Sequence, residues 1–450
     1  MTRREFLAGA VSSLLASKQV LGAKTVMDRP GEWLVRVEDN KLCRFLASRL
    51  DQTYSLSPKD LPGSRWLTPN TAVTRILQQP IRTAEAEVAQ GMYRISLGDN
   101  FPLATEQGLF ERACSDFARE GMVVSRNQAF LTLPPQVDQV QQFRQYHIPA
   151  LRLPELWDRG VVDASLAPIV IMDTGVEQHP NLITNLDVHN SRVFYGLTDT
   201  DKVGHGTFIA GLCGALGYDG VHGVAGKARI VSVKVMDLVD ILGQIVVSST
   251  VASLLAGYYY LLNNHDVLSP NGLMVVVNAF GGWEDWPEIF SAITAGREIF
   301  LVVAASGNDG LLTSPFPGKY ALRTDNVLCV GSFNRQGVLS RFSDMGRQVG
   351  LCTYGEGIVS TYPGGGYAEG AGTSFSAGLV GPLAALLASE AQRQKRRVLL
   401  PAQIRERLIR GTSQGYDTPY LTFRALDNAV QAWEAVVEEV WPARSRVPVR

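Results

Sequence analysis

Five short apolar segments, separated by helix-like stretches, constrain the fold of this chain more than any other feature. They lie between residues 167 and 333 and read APIVIMD, ARIVSVKVM, GLMVVVNAF, EIFLVVAAS and NVLCVGSF. Strands that are apolar along their whole length are buried on both faces, and helices between them make parallel crossover connections. The pattern therefore predicts an α/β fold, with a doubly wound, mostly parallel sheet flanked by helices.

A smaller domain precedes this sheet. The segments WLVRVEDN and MYRISLGDN are strand-like, and a helical pattern follows each of them. They predict a small α+β domain over residues 24–140. The segment from Pro134 to Gln145 is rich in Pro and Gln, and we place the domain boundary there. Residues 141–440 then form the α/β domain, and residues 441–450 form a loose tail.

Residues 1–23 have the pattern of an export signal. Arg3 and Arg4 precede an apolar stretch, from Phe6 to Ala16, that is too short to span a bilayer. The form TRREFL resembles the twin-arginine signal, which exports folded proteins across the bacterial inner membrane. It predicts a periplasmic or extracellular protein with no membrane attachment after signal removal. The alternative is a disordered N-terminus with basic residues by chance.

Charge and cysteine content argue against two classes of protein. A formal net charge of -1 and a pI near 6.6 leave no basic excess, so a nucleic acid partner is not expected. The five cysteines include no CxxC pair, and their odd number argues against a disulfide scaffold. We expect them to be small buried hydrophobic residues, and a Cys329 to Cys352 bridge stays open.

Asp173 ends the first apolar strand of the sheet. Sites gather at the carboxyl ends of parallel strands, so this carboxylate is expected where loops meet. Taken alone, it is explained as well by a cap on the following turn. A strand that runs into DTG also occurs in pepsin-like aspartic proteases. Those enzymes need two carboxylates that share a proton, and no second DTG or DSG is present.

Three further segments carry polar groups that could act with Asp173: GHGTFIAG, AASGNDG and GTSFSAG. Glycines on both sides of His205 leave its imidazole room to act as a base. Ser374 is either a helix cap or a nucleophile that such a base activates. Asn308 is either a turn residue or, with the backbone N–H of Ser374, a donor to an oxyanion.

Together these segments resemble the signatures of the subtilisin-like serine proteases, the subtilases. IMDTGVEQHPNL, GHGTFIAG, VVAASGNDG and GTSFSAGLVG stand in the family's order of Asp, His and Ser, within residues 143–440. The resemblance implies a serine endopeptidase that acts on protein or peptide substrates. It makes Asp173 the group that orients His205, and His205 the base and later the acid. It makes Ser374 the nucleophile and Asn308 the oxyanion donor.

The resemblance also implies a substrate-binding edge with an adjoining pocket. Extended substrate would pair with the NAFGG segment, and its side chain before the scissile bond would enter the pocket. The residues implied are Asn278, Ala279, Phe280, Gly281, Gly282, Ala304 and Ala305. Because these residues are uncharged and several are small, we expect a preference for an apolar or medium-sized side chain.

Two segments depart from the family's pattern. Pro382 lies in the helix that follows Ser374, where it predicts a kink, and Gly378 takes the family's usual proline position. Residues 214–226, GALGYDGVHGVAG, lie where many relatives build a calcium loop, yet Asp219 is the one anionic ligand in this run. Calcium takes six to eight oxygens. We therefore expect no required cofactor and no clear metal-ligand set.

The predicted N-terminal domain takes the place of the family's propeptide, and GEWLVRVE is similar to the way such propeptides open. It implies an intramolecular inhibitor and folding assistant, in a precursor that cleaves itself near residues 134–146. A permanent accessory domain is the alternative. Two other functions stay open: a catalytically silent binding or scaffold protein, and a peptide transamidase that passes the acyl group to an amine.

Overall fold

The computed structural model describes residues 24–37, 55–56, 62, 72–75, 81–82, 87–88, 91–97, 103–120, 122–132, 137–140, 144–241, 244–270, 272–395, 398–418 and 421–438. The predicted export signal and the predicted tail lie outside the described residues. The chain divides into two compact units. The first comprises Met1–Leu133, Leu238–Asn264 and Trp286–Ala295, and the second comprises Pro134–Asp237, His265–Asp285 and Gly296–Arg450.

The elements are numbered in chain order. The strands are β1 (Lys24–Val37), β2 (Ser55–Leu56), β3 (Ala72–Arg75), β4 (Ile81–Arg82), β5 (Glu87–Val88), β6 (Gly91–Ser96), β7 (Met122–Thr132), β8 (Val137–Gln139), β9 (Ile169–Asp173), β10 (Arg192–Val193), β11 (Ile230–Lys234), β12 (Met236–Ile241), β13 (Gln244–Thr250), β14 (Met274–Asn278), β15 (Phe300–Ala305), β16 (Val327–Phe333), β17 (Val349–Tyr354), β18 (Ile358–Tyr362), β19 (Gly366–Gly370), β20 (Ser413–Thr418) and β21 (Leu421–Ala425). The helices are α1 (Leu103–Arg119), α2 (His147–Ala150), α3 (Leu153–Asp158), α4 (His205–Gly214), α5 (Val251–Asn263), α6 (His265–Leu268), α7 (Pro287–Ala295), α8 (Thr373–Lys395), α9 (Pro401–Arg410) and α10 (Ala429–Glu438).

The first unit is a twisted sheet with helices, in the order β12-β13-β7-β1-β6-β3-β2. Strand β1 pairs antiparallel with both β6 and β7. Trp33, Tyr93 and Phe117 are buried in its core, and burial of such large apolar side chains stabilises a small domain. Glu106, also buried, accepts from Trp33 Nε1 at 2.8 Å and from Arg126 Nη1 at 2.6 Å. The unit includes α5 and α7, which come later in the chain.

The second unit has a sheet in the order β10-β11-β9-β14-β15-β16-β17-β21-β20. The five predicted strands are β9, β11, β14, β15 and β16, and all of them are fully buried. Each pairs parallel with its neighbours. The predicted α/β fold with a mostly parallel sheet is therefore confirmed.

Helix α8 is the central helix of this unit and packs on β14, β15 and β16. By length and composition its segment Thr373–Gln394 could cross a membrane. However, 94% of its most apolar stretch is buried inside the protein. This stretch is the core helix of a globular unit. The helix continues through Pro382. A Cβ on Gly378 would lie 2.9 Å from Leu212 Cδ1, so glycine there lets α8 approach α4.

The described cysteines carry free thiols: Cys114, Cys213, Cys329 and Cys352. The bridge between Cys329 and Cys352 is therefore not formed. Burial raises the pKa of Cys329 to about 12, so this thiol is protonated at neutral pH. Cys213 and Cys352 are equally buried and fill the core as small apolar residues, as expected. Cys114 is only half-buried, contrary to the expectation, and Cys43 lies outside the described residues.

His147 makes the stability of the second unit depend on pH. It is fully buried, and neither ring nitrogen has a hydrogen-bond partner among the described residues. Burial lowers the pKa of His147 from 6.5 to about 3. Between these values the unfolded chain binds a proton that the folded chain does not, so the free energy of unfolding falls as pH falls. The slope is about 1.4 kcal/mol per pH unit below 6.5.

We expect His147→Leu to remove this slope. Between pH 7.5 and pH 5 the wild type should lose about 2 kcal/mol of its free energy of unfolding relative to the variant. Urea unfolding of both proteins at the two pH values measures this shift. A difference that does not change with pH would mean that His147 titrates normally in the folded chain.

Candidate active site

The strand β9 and the helix α4 bring Asp173 and His205 together. Asp173 ends β9 and is fully buried, and His205 is the first residue of α4. His205 Nδ1 lies 2.8 Å from Asp173 Oδ1 and 2.9 Å from Oδ2. The backbone N–H of Thr174 also donates to Oδ1, at 2.8 Å. Since a carboxylate accepts only, Nδ1 carries the ring proton and donates it to Asp173.

The two glycines beside His205 have a packing role. A Cβ on Gly206 would lie 2.0 Å from the carbonyl oxygen of Gly175. Gly204 has φ +87, and a Cβ there would lie 2.2 Å from the ring of Tyr362. Only glycine fits both places: Gly206 lets the start of α4 approach the loop after Asp173, and Gly204 lets it approach Tyr362 of β18. The sequence pattern had indicated room for the imidazole, and the structure adds this reason.

A second buried carboxylate, which the sequence patterns did not single out, joins the same two segments. Asp201 Oδ1 accepts from Thr174 Oγ1 and from Gly204 N, each at 2.8 Å. Its Oδ2 accepts from Thr207 N at 2.8 Å and from Thr207 Oγ1 at 2.7 Å. Burial raises the pKa of Asp201, although these donors oppose the shift. Asp201 caps the helix that carries His205.

Ser374 is the second residue of α8, so it lies in the first turn and is not the cap of this helix. Its Oγ donates to the carbonyl oxygen of Ala279 at 2.7 Å. The next residue, Phe375, stacks on Phe208 with ring centroids 4.3 Å apart, and its centroid is 6.1 Å from that of His205. This packing holds the first turn of α8 beside the first turn of α4.

Asn308 is fixed by Thr373, another residue that the sequence patterns did not single out. Asn308 Oδ1 accepts from Thr373 N at 2.9 Å and from Thr373 Oγ1 at 2.8 Å. The amide oxygen therefore faces Thr373. A Cβ on Gly372 would lie 3.5 Å from Asn308 Nδ2 and 3.8 Å from Ser374 N. The two nitrogens therefore border the same space beside Gly372.

The predicted substrate residues follow two strands of the sheet. Asn278 ends β14 and donates through Nδ2 to the carbonyl oxygen of Phe280 at 3.2 Å. Ala304 and Ala305 end β15 and are buried. Gly281 and Gly282 run beside Phe316: a Cβ on Gly281 would lie 2.0 Å from its carbonyl oxygen, and Phe316 N donates to Gly282 O at 2.8 Å. The contact between Ala279 and Ser374 sets this segment next to the first turn of α8.

No group of three His, Cys, Asp or Glu side chains that could hold a metal ion occurs within the described residues. The one acidic residue of the run 214–226 is Asp219, whose Oδ2 accepts from Tyr367 Oη at 2.9 Å.

The family model of the subtilases matches residues 167–429, more than half of the chain. The chain belongs to the subtilase family. That match spans Asp173, His205, Asn308 and Ser374. This subtilase is similar to the minor extracellular protease Epr of Bacillus subtilis, with 28% identity over 330 residues, which are 71% of this chain and 48% of the relative. The chain thus spans about half the length of that relative.

Two other relatives are covered more fully. Thermitase of Thermoactinomyces vulgaris is 32% identical over 251 residues, which are 55% of this chain and 83% of the relative. M-protease of Shouchella clausii is 31% identical over 287 residues, which are 63% of this chain and 68% of the relative. The subtilase family is one of serine proteases, and its signatures lie in the second unit of this chain.

Proposed function

We propose that this subtilase is a serine endopeptidase that hydrolyses peptide bonds through an acyl-enzyme, with Asp173, His205 and Ser374 as its triad. The observation that carries the proposal is the contact of His205 Nδ1 with both oxygens of the buried Asp173. Because Nδ1 holds the ring proton, Nε2 is the nitrogen that can accept a proton from Ser374.

In the proposed mechanism the Ser374 hydroxyl leaves the carbonyl of Ala279 by rotation about χ1 and turns to His205 Nε2. Hydrogen bonds of this kind tighten when substrate binds. Ser374 Oγ attacks the substrate carbonyl as His205 takes its proton, and the C–N bond breaks as His205 returns the proton to the leaving amine. Water then releases the acyl group by the same steps, and Asp173 stabilises the imidazolium each time.

We assign the developing oxyanion to the space bordered by Asn308 Nδ2 and Ser374 N. Both donors are held before substrate arrives, Asn308 by Thr373 and Ser374 N by the helix start. Donors that need no rearrangement stabilise charge as it forms, which lowers the barrier.

Asn308→Ala is expected to lower kcat by about 10² to 10³, a magnitude that comes from the equivalent asparagine of subtilisin. KM should change little, because the donor acts on charge that develops after binding. Thr373→Val, which keeps the backbone N–H bond to Asn308, should lower kcat by a smaller factor. Steady-state kinetics on a peptide substrate measures both. A rise in KM at unchanged kcat would place Asn308 in substrate binding instead.

We assign the segment Asn278–Gly282 to extended substrate, with Ala304 and Ala305 beside the pocket for the side chain before the scissile bond. The contact between Ser374 Oγ and Ala279 O supports this placement. Uncharged neighbours favour an apolar or medium-sized side chain at that position. Cleavage of peptide libraries tests the preference separately from the triad.

We also propose that the chain is an exported precursor whose N-terminal domain, residues 24–140, acts as propeptide and inhibitor. We expect self-cleavage near residues 134–146, and the position of strand β8 limits where this cut can fall. This strand pairs antiparallel with β19 of the second unit, with Val137 opposite Gly370 and Gln139 opposite Ala368. Because β8 belongs to the second unit, a cut on its N-terminal side would leave this strand with the peptidase unit, and the propeptide would then end near residue 133 and not at residue 140. The extracellular relative Epr supports export.

Intact-mass spectrometry on the chain without residues 1–23, beside its Ser374→Ala variant, tests the proposal. We expect the first protein to give two fragments whose boundary lies near residues 134–146. The Ser374→Ala variant should give one full-length mass. If both remain whole, self-processing is wrong, and a silent scaffold becomes the better proposal if peptide cleavage is also absent. Peptide products that carry an added amine would instead identify a transamidase.

A further inference from the structure

The loop formed by residues 216–223, here called the 216–223 loop, follows α4, the helix that His205 begins. It lies in the run where the family resemblance suggests a calcium site. Calcium is held by six to eight oxygen lone pairs that point to one centre. The residues around this loop can therefore be tested for such a set.

The side chain of Asn181 occupies the interior of the loop. It is fully buried. Its Nδ2 donates to the carbonyl oxygens of Val221 at 2.9 Å and of Tyr218 at 3.2 Å. Its Oδ1 accepts from the backbone N–H of Tyr218 at 3.1 Å. One amide thus makes three bonds to the loop.

The orientation of this amide is set by the loop. If it were turned over, Nδ2 would face the N–H of Tyr218 and two donors would oppose each other. In the orientation present, Nδ2 donates to two carbonyl oxygens, and Tyr367 Oη is a third, longer contact at 3.4 Å. Asn181 therefore presents hydrogens, and not lone pairs, to the centre of the loop.

The carbonyls that face Asn181 have their lone pairs in use. Val221 O also accepts from Gly217 N at 3.1 Å, and Tyr218 O also accepts from Val221 N at 3.0 Å. A carbonyl oxygen has two lone pairs, so each is filled by one backbone and one side-chain donor. These oxygens do not fit a calcium ligand set.

Two further donors close the loop from other sides. Gln145 Nε2 donates to His222 O at 2.9 Å, and Gln145 Oε1 accepts from His222 N at 2.7 Å. Tyr367 Oη donates to Asp219 Oδ2 at 2.9 Å. Burial, followed by the Asp219 carboxylate, raises the pKa of Tyr367 to about 12, so this hydroxyl keeps its proton at neutral pH.

Asn181 is itself held in place. Its backbone N–H donates to His179 Nδ1 at 3.0 Å, and His179 Nε2 lies 2.9 Å from Gly366 O. With Nδ1 as acceptor, the Nε2 proton donates to the carbonyl and the ring is neutral. Burial also lowers the pKa of His179, which agrees with that form.

We propose that the Asn181 amide takes the place of a cation in the 216–223 loop, so that a protein donor, and not calcium, locks this loop. The lock fixes the end of α4 without metal. Local order of the loop should then be the same in a chelator as in calcium. This proposal does not depend on catalysis.

Hydrogen exchange read by mass spectrometry over residues 216–224 tests the lock locally. The full chain without residues 1–23 is used with Ser374→Ala, which prevents any self-cleavage, in 5 mM EDTA and in 5 mM CaCl₂. We expect equal exchange in the two buffers. A rate that falls tenfold or more in calcium would mean that the loop binds the ion, and would overturn the proposal.

Asn181→Asp is the matched variant, because it keeps the shape of the side chain and replaces the donor by an acceptor. Its carboxylate faces two carbonyl oxygens, so exchange over the loop in EDTA should rise at least tenfold. Protection in EDTA equal to that of Asn181 would show that the donor does not lock the loop. If the variant does not fold, the comparison of the two buffers still decides whether calcium orders the loop, and a calcium effect there overturns the proposal.

Discussion

Alanine at position 374 is expected to lower kcat on a peptide substrate by about 10⁶-fold, the loss known for the same change in subtilisin, a member of this family. Ser374 Oγ is the atom that forms the acyl-enzyme in our mechanism, and no other group replaces it. The residual rate comes from substrate binding and the oxyanion donors, which remain in place.

The expected loss is not additive with that of His205. Because Ser374 and His205 act in one proton transfer, His205→Ala and the double variant should each fall to about the same rate as Ser374→Ala. Steady-state kinetics on highly purified protein measures this, with Ser291→Ala, a change at an exposed serine outside the segments of the site, as the control. A further large loss in the double variant would mean that the two side chains act independently, and would contradict the triad.

Asp173→Asn is expected to lower kcat by about 10⁴-fold, with little change in KM. Both carboxylate oxygens of Asp173 accept from His205 Nδ1, and one of them also accepts from the backbone N–H of Thr174. Whichever way the new amide turns, its NH₂ meets one of these donors. If it faces His205, the ring proton moves to Nε2, and the nitrogen that must accept the proton of Ser374 no longer can.

The matched control is Asp325→Asn, a carboxylate that pairs with Arg297 at the surface. We expect its kcat to stay within about twofold of wild type, since exposed ion pairs contribute little. Kinetics and thermal unfolding of both variants separate catalysis from stability. An Asp173→Asn enzyme that keeps more than a tenth of its rate would remove Asp173 from the mechanism.

The α/β fold was predictable because its strands carry a strong signal. A strand buried on both faces is apolar at every position, and the five such segments became β9, β11, β14, β15 and β16. Short or partly polar strands have no such signal. Strand β21, with the partly polar segment LTFRA, was not predicted for this reason.

The candidate site residues were predicted for a different reason, since each stands in a recognisable motif. The structure places Asp173 at the end of β9, and His205 and Ser374 in the first turns of α4 and α8. Asn308 lies in the loop after β15. Asp201 and Thr373 were missed, because a capping carboxylate or a buried hydroxyl has no chemistry of its own that a pattern can reveal. Their roles arise only when distant segments meet, as Asp201 meets Thr174.

The loop around Asn181 shows the same limit. Its composition indicated that Asp219 alone could not hold calcium, but an asparagine thirty-odd residues earlier in the chain gave no sign that it fills the loop. A buried amide needs partners for its hydrogens and its oxygen, and those partners are identified by the fold.

Covalent labelling with a fluorophosphonate tests the central claim most directly, because the reagent reacts with a serine hydroxyl only when a base activates it. Intact mass and peptide mapping should find one adduct per chain, on Ser374, and none on the His205→Ala variant. Two results would contradict the account of Ser374 as the nucleophile. One is a wild-type chain that stays unlabelled after its N-terminal domain has been removed, and the other is an adduct on another serine.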